Sequence, residues 1–130
     1  MDTSYDNENG LILRLVYGSF STLFTADLGT PGEAKLIEQQ VPLNATVLKV
    51  GHHGSQYSSS EALIEAVNPQ LTVIQVGQGN EYGHPHAATL QRLRGRAILR
   101  NDIHGTIEVI SDGKQMWLEV ERNQAVVKRD

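Results

Sequence analysis

Residues 46–60 read TVLKVGHHGSQYSSS, and the order of these residues decides the fold. Thr46, Val47, Leu48 and Val50 are apolar or β-branched around the single Lys49, as expected of a largely covered β-strand. The strand runs directly into Gly51-His52-His53-Gly54, and the serines at 58–60 lead on to a helix. Ser58 and Glu61 have the spacing of a capping box, Ala62, Leu63, Ala66 and Val67 form one helical face, and Asn68-Pro69 stops it. The unit is therefore strand, histidine-bearing loop, helix.

The same unit recurs on both sides. Upstream, Leu11, Leu13, Leu15 and Tyr17 alternate with Ile12, Arg14 and Val16, and Gly18-Ser19 separates them from a second β-rich run at 22–26, which predicts a hairpin. Asp27 ends that run. Thr30, Pro31 and Glu33 then read as an N-cap, a first-turn proline and the acidic member of a capping box, opening a helix over about 31–40. Downstream, 71–76 is a strand, GQGNEYGHPH at 77–86 is a loop, and 87–94 is a helix with Gly95 placed to end it. Strands follow at 97–100, 106–110 and 116–120, with SDGK at 111–114 as a hairpin turn, and the polar tail over 122–130 is expected to fray. The order β-β-α-β-α-β-α-β-β-β predicts one α/β domain over 1–130, a layered sheet with flanking helices.

Composition narrows the function classes. With 39% hydrophobic and 20% charged residues, the 130-residue chain is long enough to bury a core. No apolar run approaches the ~18 residues that span a bilayer, and MDTSYDNENG at 1–10 lacks the features of a secretory leader. The expectation is a soluble segment that makes no membrane contact itself. The absence of cysteine excludes disulfides, thiolate zinc sites and a cysteine nucleophile. A net charge of -4 argues against a broad basic face for nucleic acid.

All five histidines lie after residue 51, and His52, His53, His84 and His86 fall in two loops that each follow a strand. In layered α/β sheets ligands bind beyond the carboxyl ends of the strands, so Asp27, His52 and His84 are expected on one rim. Imidazole and carboxylate are the usual ligands of zinc, manganese or iron when thiolates are absent. Asp27 has an ordinary alternative role near the positive end of the next helix, but it follows a buried run with no cation within four residues, so a metal or strong hydrogen bonds would keep it ionised. The histidine pair has the alternative of a turn satisfied by backbone carbonyls. Ser55 and the serines at 58–60 are placed to donate to an anion at the start of the next helix. His84 projects from its loop ahead of Pro85, His86 reads as an N-terminal helix residue, and His104, in a turn before Gly105, reads as a surface residue.

LFTAD at 23–27, LKVGHHGSQYSSS at 48–60, NEYGHPH at 80–86 and DIHGTIEVISDG at 102–113 together resemble the metallo-β-lactamase-like domain at the carboxyl end of the ComEC/Rec2 competence proteins, the DNA-uptake channels of transformable bacteria. The resemblance implies the carboxyl-terminal half of an αββα sandwich belonging to a bacterial membrane protein, and metal-assisted phosphodiester hydrolysis of DNA. It implies Asp27 as an aspartate that bridges metals and His52 as the late histidine ligand, with His53 and His84 as catalytic candidates and Ser55 and Ser58 as substrate-binding ones. The choice of His52 over His53 rests on its being the first residue beyond the strand and its glycine. The family's early HxHxDH ligand motif has no counterpart in these 130 residues, Gly10 stands where a serine is common, and Asn101 stands where threonine is usual. A chain in that state is expected to bind zinc or manganese weakly or not at all, to be inactive alone, to need the missing amino-terminal half, and to form a homo-oligomer through its uncovered apolar face. The competing expectation is a non-enzymatic interaction or assembly module that retains the fold.

Overall fold

A computed structural model describes residues 10–122. The predicted amino-terminal hairpin is present as β1 (Leu13–Tyr17) and β2 (Phe20–Phe24), paired antiparallel across the Gly18-Ser19 turn. Three strand-and-helix units follow: α1 (Thr30–Glu38) to β3 (Val47–Lys49), α2 (Glu61–Val67) to β4 (Leu71–Ile74), and α3 (Ala87–Arg92) to β5 (Ala97–Arg100). A short α4 (Asn101–His104), absent from the sequence reading, turns the chain into a second hairpin of β6 (Ile107–Ser111) and β7 (Met116–Val120). Of the tail expected to fray, all but Arg122 lies outside the described residues.

The first five strands form one sheet in chain order, β1-β2-β3-β4-β5, with every pair after β1-β2 parallel. Each crossover therefore steps in the same direction. Since βαβ crossovers are right-handed, all three helices must lie on one face. The core is on that face: Leu23, Leu48, Val50 and Ile74 from the sheet pack with Leu63, Ile64 and Val67 of α2 and with Leu93. Burial of each such side chain contributes about 1.5–3 kcal/mol.

The opposite face carries Leu13, Leu15 and Tyr17 of β1, Phe24 of β2, Val47 of β3 and Leu71 of β4, in register across the strands. Val47 and Leu71 are only 2% and 1% exposed, although they point away from the helices. The β6-β7 hairpin runs from one edge of the sheet to the other. Its base is tied beyond β5, where the Arg122 amide donates to the His104 carbonyl (2.9 Å), and its tip reaches the other edge, where the Ser19 amide donates to Gly113 (2.7 Å). The layers are helices, five-stranded sheet and hairpin. At the β1 edge Leu13, Leu15 and Tyr17 are 51%, 53% and 57% exposed.

Three local expectations are corrected. Gly29, not Thr30, caps α1, without a side-chain hydrogen bond. Ser60, not Ser58, caps α2, accepting from the Leu63 amide (3.2 Å). His104 is buried, its Nδ1 accepting from the Arg100 amide (3.0 Å) within the turn that α4 makes, so it is not a surface residue.

Candidate functional site

Because β2, β3 and β4 are parallel and in register at Phe24, Lys49 and Val73, their carboxyl ends share one rim. The Thr25-Ala26-Asp27 turn, the His52-His53 turn and the loop bearing His84 all leave from it. The first two are fastened together, the His52 amide donating to the Ala26 carbonyl (2.9 Å). His52 and His53 both adopt left-handed backbone angles, with φ of 47° and 56°. Such angles cost a residue with a Cβ free energy and persist only when the surroundings impose them.

The surroundings are visible in the serine loop. The Gly51 amide, at the start of the turn, donates to Ser59 Oγ (3.0 Å). Ser59 is itself held from both sides: its amide donates to the carboxylate of Glu33, and its carbonyl accepts from the Arg92 guanidinium (3.2 Å). The Glu33 carboxylate also accepts from the Ser60 amide (2.8 Å), and Arg92 also donates to the Gln56 carbonyl (2.8 Å). Glu33 is fully buried. Thus Ser59 and Ser60, two of the serines read from the sequence as donors to an anion at the start of α2, give their amides to a carboxylate of the protein's own α1.

Ser55 and Ser58 are buried in the same loop. Ser55 Oγ accepts from the Tyr57 amide (3.2 Å), and Ser58 Oγ makes no hydrogen bond among the described residues. In this conformation an anion would reach either hydroxyl only if the loop moved.

The histidines meet across the rim. The His52 and His84 rings stand edge to face with centroids 5.8 Å apart, and the His52 and His53 centroids are 6.4 Å apart. His53 Nδ1 lies 2.7 Å from the Gln75 carbonyl, which can only accept, so Nδ1 carries a proton and donates. His84 is clasped by Asn80, whose side-chain oxygen accepts from the His84 amide (3.0 Å) and whose amide group donates to the His84 carbonyl (2.7 Å). Burial, then the neighbouring His52, His53 and His86, hold the His84 imidazole below its ordinary 6.5. His86 is committed elsewhere, its Nδ1 accepting from the Ala88 amide (3.0 Å) as the cap of α3.

Asp27 is partly buried, and it does have a cation near it. Lys49, one strand over, is pushed below its ordinary 10.5 by burial and pulled partly back by the Asp27 carboxylate. The sequence reading missed Lys49 because the two residues are neighbours only in the sheet. Asn80 was missed as well, although an asparagine between glycines in GQGNEYG is a recognisable loop-organising signal.

These donors do not amount to a metal site by themselves. Among the described residues no group of three or more histidine, aspartate or glutamate side chains converges on one point, whereas a catalytic zinc site takes about three protein ligands. What the rim offers is a carboxylate near a partly buried lysine, and a group of imidazoles among which His84 is held toward its neutral form.

In class, then, the chain is a layered α/β domain with a histidine-lined rim at the carboxyl ends of parallel strands. Its relatives place it more narrowly. It is 38% identical over 109 residues to ComE operon protein 3 of Bacillus subtilis, 40% over 106 to Competence protein ComA of Neisseria gonorrhoeae, and 33% over 109 to Recombination protein 2 of Haemophilus influenzae. These alignments cover 82%, 79% and 82% of the chain but only 14%, 15% and 14% of the relatives. No protein-family profile and no solved structure gives a match. Homology links the chain to the ComEC/Rec2/ComA family of competence proteins. No helix of the described residues is long and apolar enough to cross a membrane.

Proposed function

We propose that the chain supplies one half of a metal-dependent phosphodiester hydrolase site in a bacterial DNA-uptake protein. The observation that carries this reading is that the segments bearing Asp27, His52, His53 and His84 leave one sheet rim, with the His52 and His84 rings in contact, in a chain related to competence proteins. In this reading Asp27 and His52 are ligands to zinc or manganese. His53 and His84 are the proton-transfer or substrate contacts, and Ser55 and Ser58 shape the loop through which an anion is met. The remaining ligands, the HxHxDH set, come from a segment outside these 130 residues, so the chain alone turns over nothing. The fold has the same logic: the β6-β7 hairpin is the start of the second sheet of an αββα sandwich, and Leu13, Leu15 and Tyr17 are apolar surface that the other half covers. Without that half, the same surface pairs copies of the chain.

A nuclease assay with Mn2+ or Zn2+ is the direct test. The isolated chain should not cleave single-stranded DNA with either ion. Cleavage that disappears in His52→Ala would contradict the incomplete ligand set.

A second reading, an assembly module without catalysis, is favoured by one observation: no three metal-binding side chains converge among the described residues. The two readings part on metal binding. A half site binds metal through Asp27, and an assembly module has no use for it.

A further inference from the structure

The loop between β4 and α3 presents an aromatic surface that neither metal ligation nor proton transfer requires. Tyr82 is 79% exposed, whereas tyrosine usually covers most of its ring. The ring is stacked on His84, with centroids 5.7 Å apart and planes 29° from parallel. Beside this pair lies a hollow of about 210 Å3, lined by His53, Val76, Gly77, Asn80, Tyr82 and His84. Pockets that enclose a whole small molecule are larger, about 300–1,000 Å3. One planar ring is what the hollow suits.

The polar groups around it agree. Asn80 is occupied inside the loop, donating to the Gly77 and His84 carbonyls (3.0 and 2.7 Å). His53 is anchored by its Nδ1, which donates to the Gln75 carbonyl (2.7 Å). The hollow thus offers the rings of His53, Tyr82 and His84 and the carbon wall of Val76.

We propose that Tyr82, His84 and this hollow form a subsite for an unpaired nucleobase, which makes single-stranded nucleic acid the ligand of the rim. A base inside a duplex has both faces covered by its neighbours and cannot enter, whereas an unpaired base presents a free face for stacking. With a net charge of -4 a strand would have to be held here by stacking, which needs no cation, more than by its phosphates. Because His53 and His84 belong both to the hollow and to the candidate site, a base seated there brings its own phosphate to the rim. The subsite rests on the proposed function only for the choice of nucleic acid over other planar ligands.

Fluorescence anisotropy with the full chain at low salt tests it, using an end-labelled eight-nucleotide thymidine strand and a strand of equal length made of abasic sites. The thymidine strand should bind about tenfold more tightly than the abasic one. That advantage should vanish in Tyr82→Ala and persist in Tyr82→Trp. An advantage that survives Tyr82→Ala overturns the subsite. Equal binding of both strands by the wild-type chain overturns it too, while leaving a nucleic-acid ligand standing. Binding of neither strand at millimolar protein overturns the subsite together with the nucleic-acid reading.

Discussion

Ser59 connects more of the rim than any histidine does. Its amide, carbonyl and hydroxyl bind Glu33, Arg92 and the Gly51 amide, so a strain-bearing turn is held by a residue that does no chemistry. Ser59→Ala leaves the Gly51 amide buried without an acceptor, which should cost about 1–3 kcal/mol in urea unfolding. Glu33→Ala strands the amides of both Ser59 and Ser60 and should cost about 3 kcal/mol or more. A Ser59→Ala protein as stable as wild type would show that the turn is held by other contacts. His84 adds a pH dependence of known sign. Its folded-state pKa lies below the unfolded value, so the neutral imidazole is favoured by folding. Stability from this group is complete above pH 6.5 and is lost as pH falls through 6.5 towards the folded value. Histidine NMR titration should place the His84 midpoint below 6.5 and move it upward in His52→Ala, which removes one of the neighbouring charges. A midpoint at or above 6.5 in the wild type would contradict the burial seen here.

At the scale of elements, two glycines set where the pieces touch. Gly54 has φ +88°, and a Cβ there would lie 2.6 Å from Pro85 Cβ. The His52-His53 turn and the His84-Pro85 segment are therefore pressed together at a point where only glycine fits. Gly18, at φ +60°, lies beneath the Gly113 carbonyl in the same manner, so the hairpin tip docks on it. Gly18→Ala should lift the tip and destabilise the protein by about 1–3 kcal/mol, with faster amide exchange at Ser19 and along β6-β7. Unchanged exchange in the hairpin would mean that its tip is not an anchor. The first strand was legible from alternation and the one at 46–50 from its continuous apolar, β-branched run, and the shared rim followed from repeated strand-loop-helix units. The cap of α2 was not legible: Ser58, Ser59 and Ser60 are chemically equivalent, and what selects Ser60 is Glu33, 26 and 27 residues away from the amides it binds. The nearness of Lys49 to Asp27, and the burial of His104 within α4, were hidden for the same reason. Each depends on strand register or on a turn that no local periodicity encodes.

For the whole molecule, the uncovered edge of the sheet is the main physical consequence of its layering. Leu13, Leu15 and Tyr17 form an apolar row on an edge strand, which invites pairing with another chain. Light scattering at tens of micromolar should give at least a dimer mass, and Leu15→Glu should shift it to monomer; a monomer mass for the wild type would remove the row as an interface. The proposed half site makes a sharper demand on the molecule, that Asp27 holds a metal although the set is incomplete. Titration calorimetry with Mn2+ or Zn2+ on wild type and Asp27→Ala measures this directly. Heat of binding from the wild type that is lost in Asp27→Ala is the predicted result, and equal heats from both proteins would remove Asp27 from any metal site.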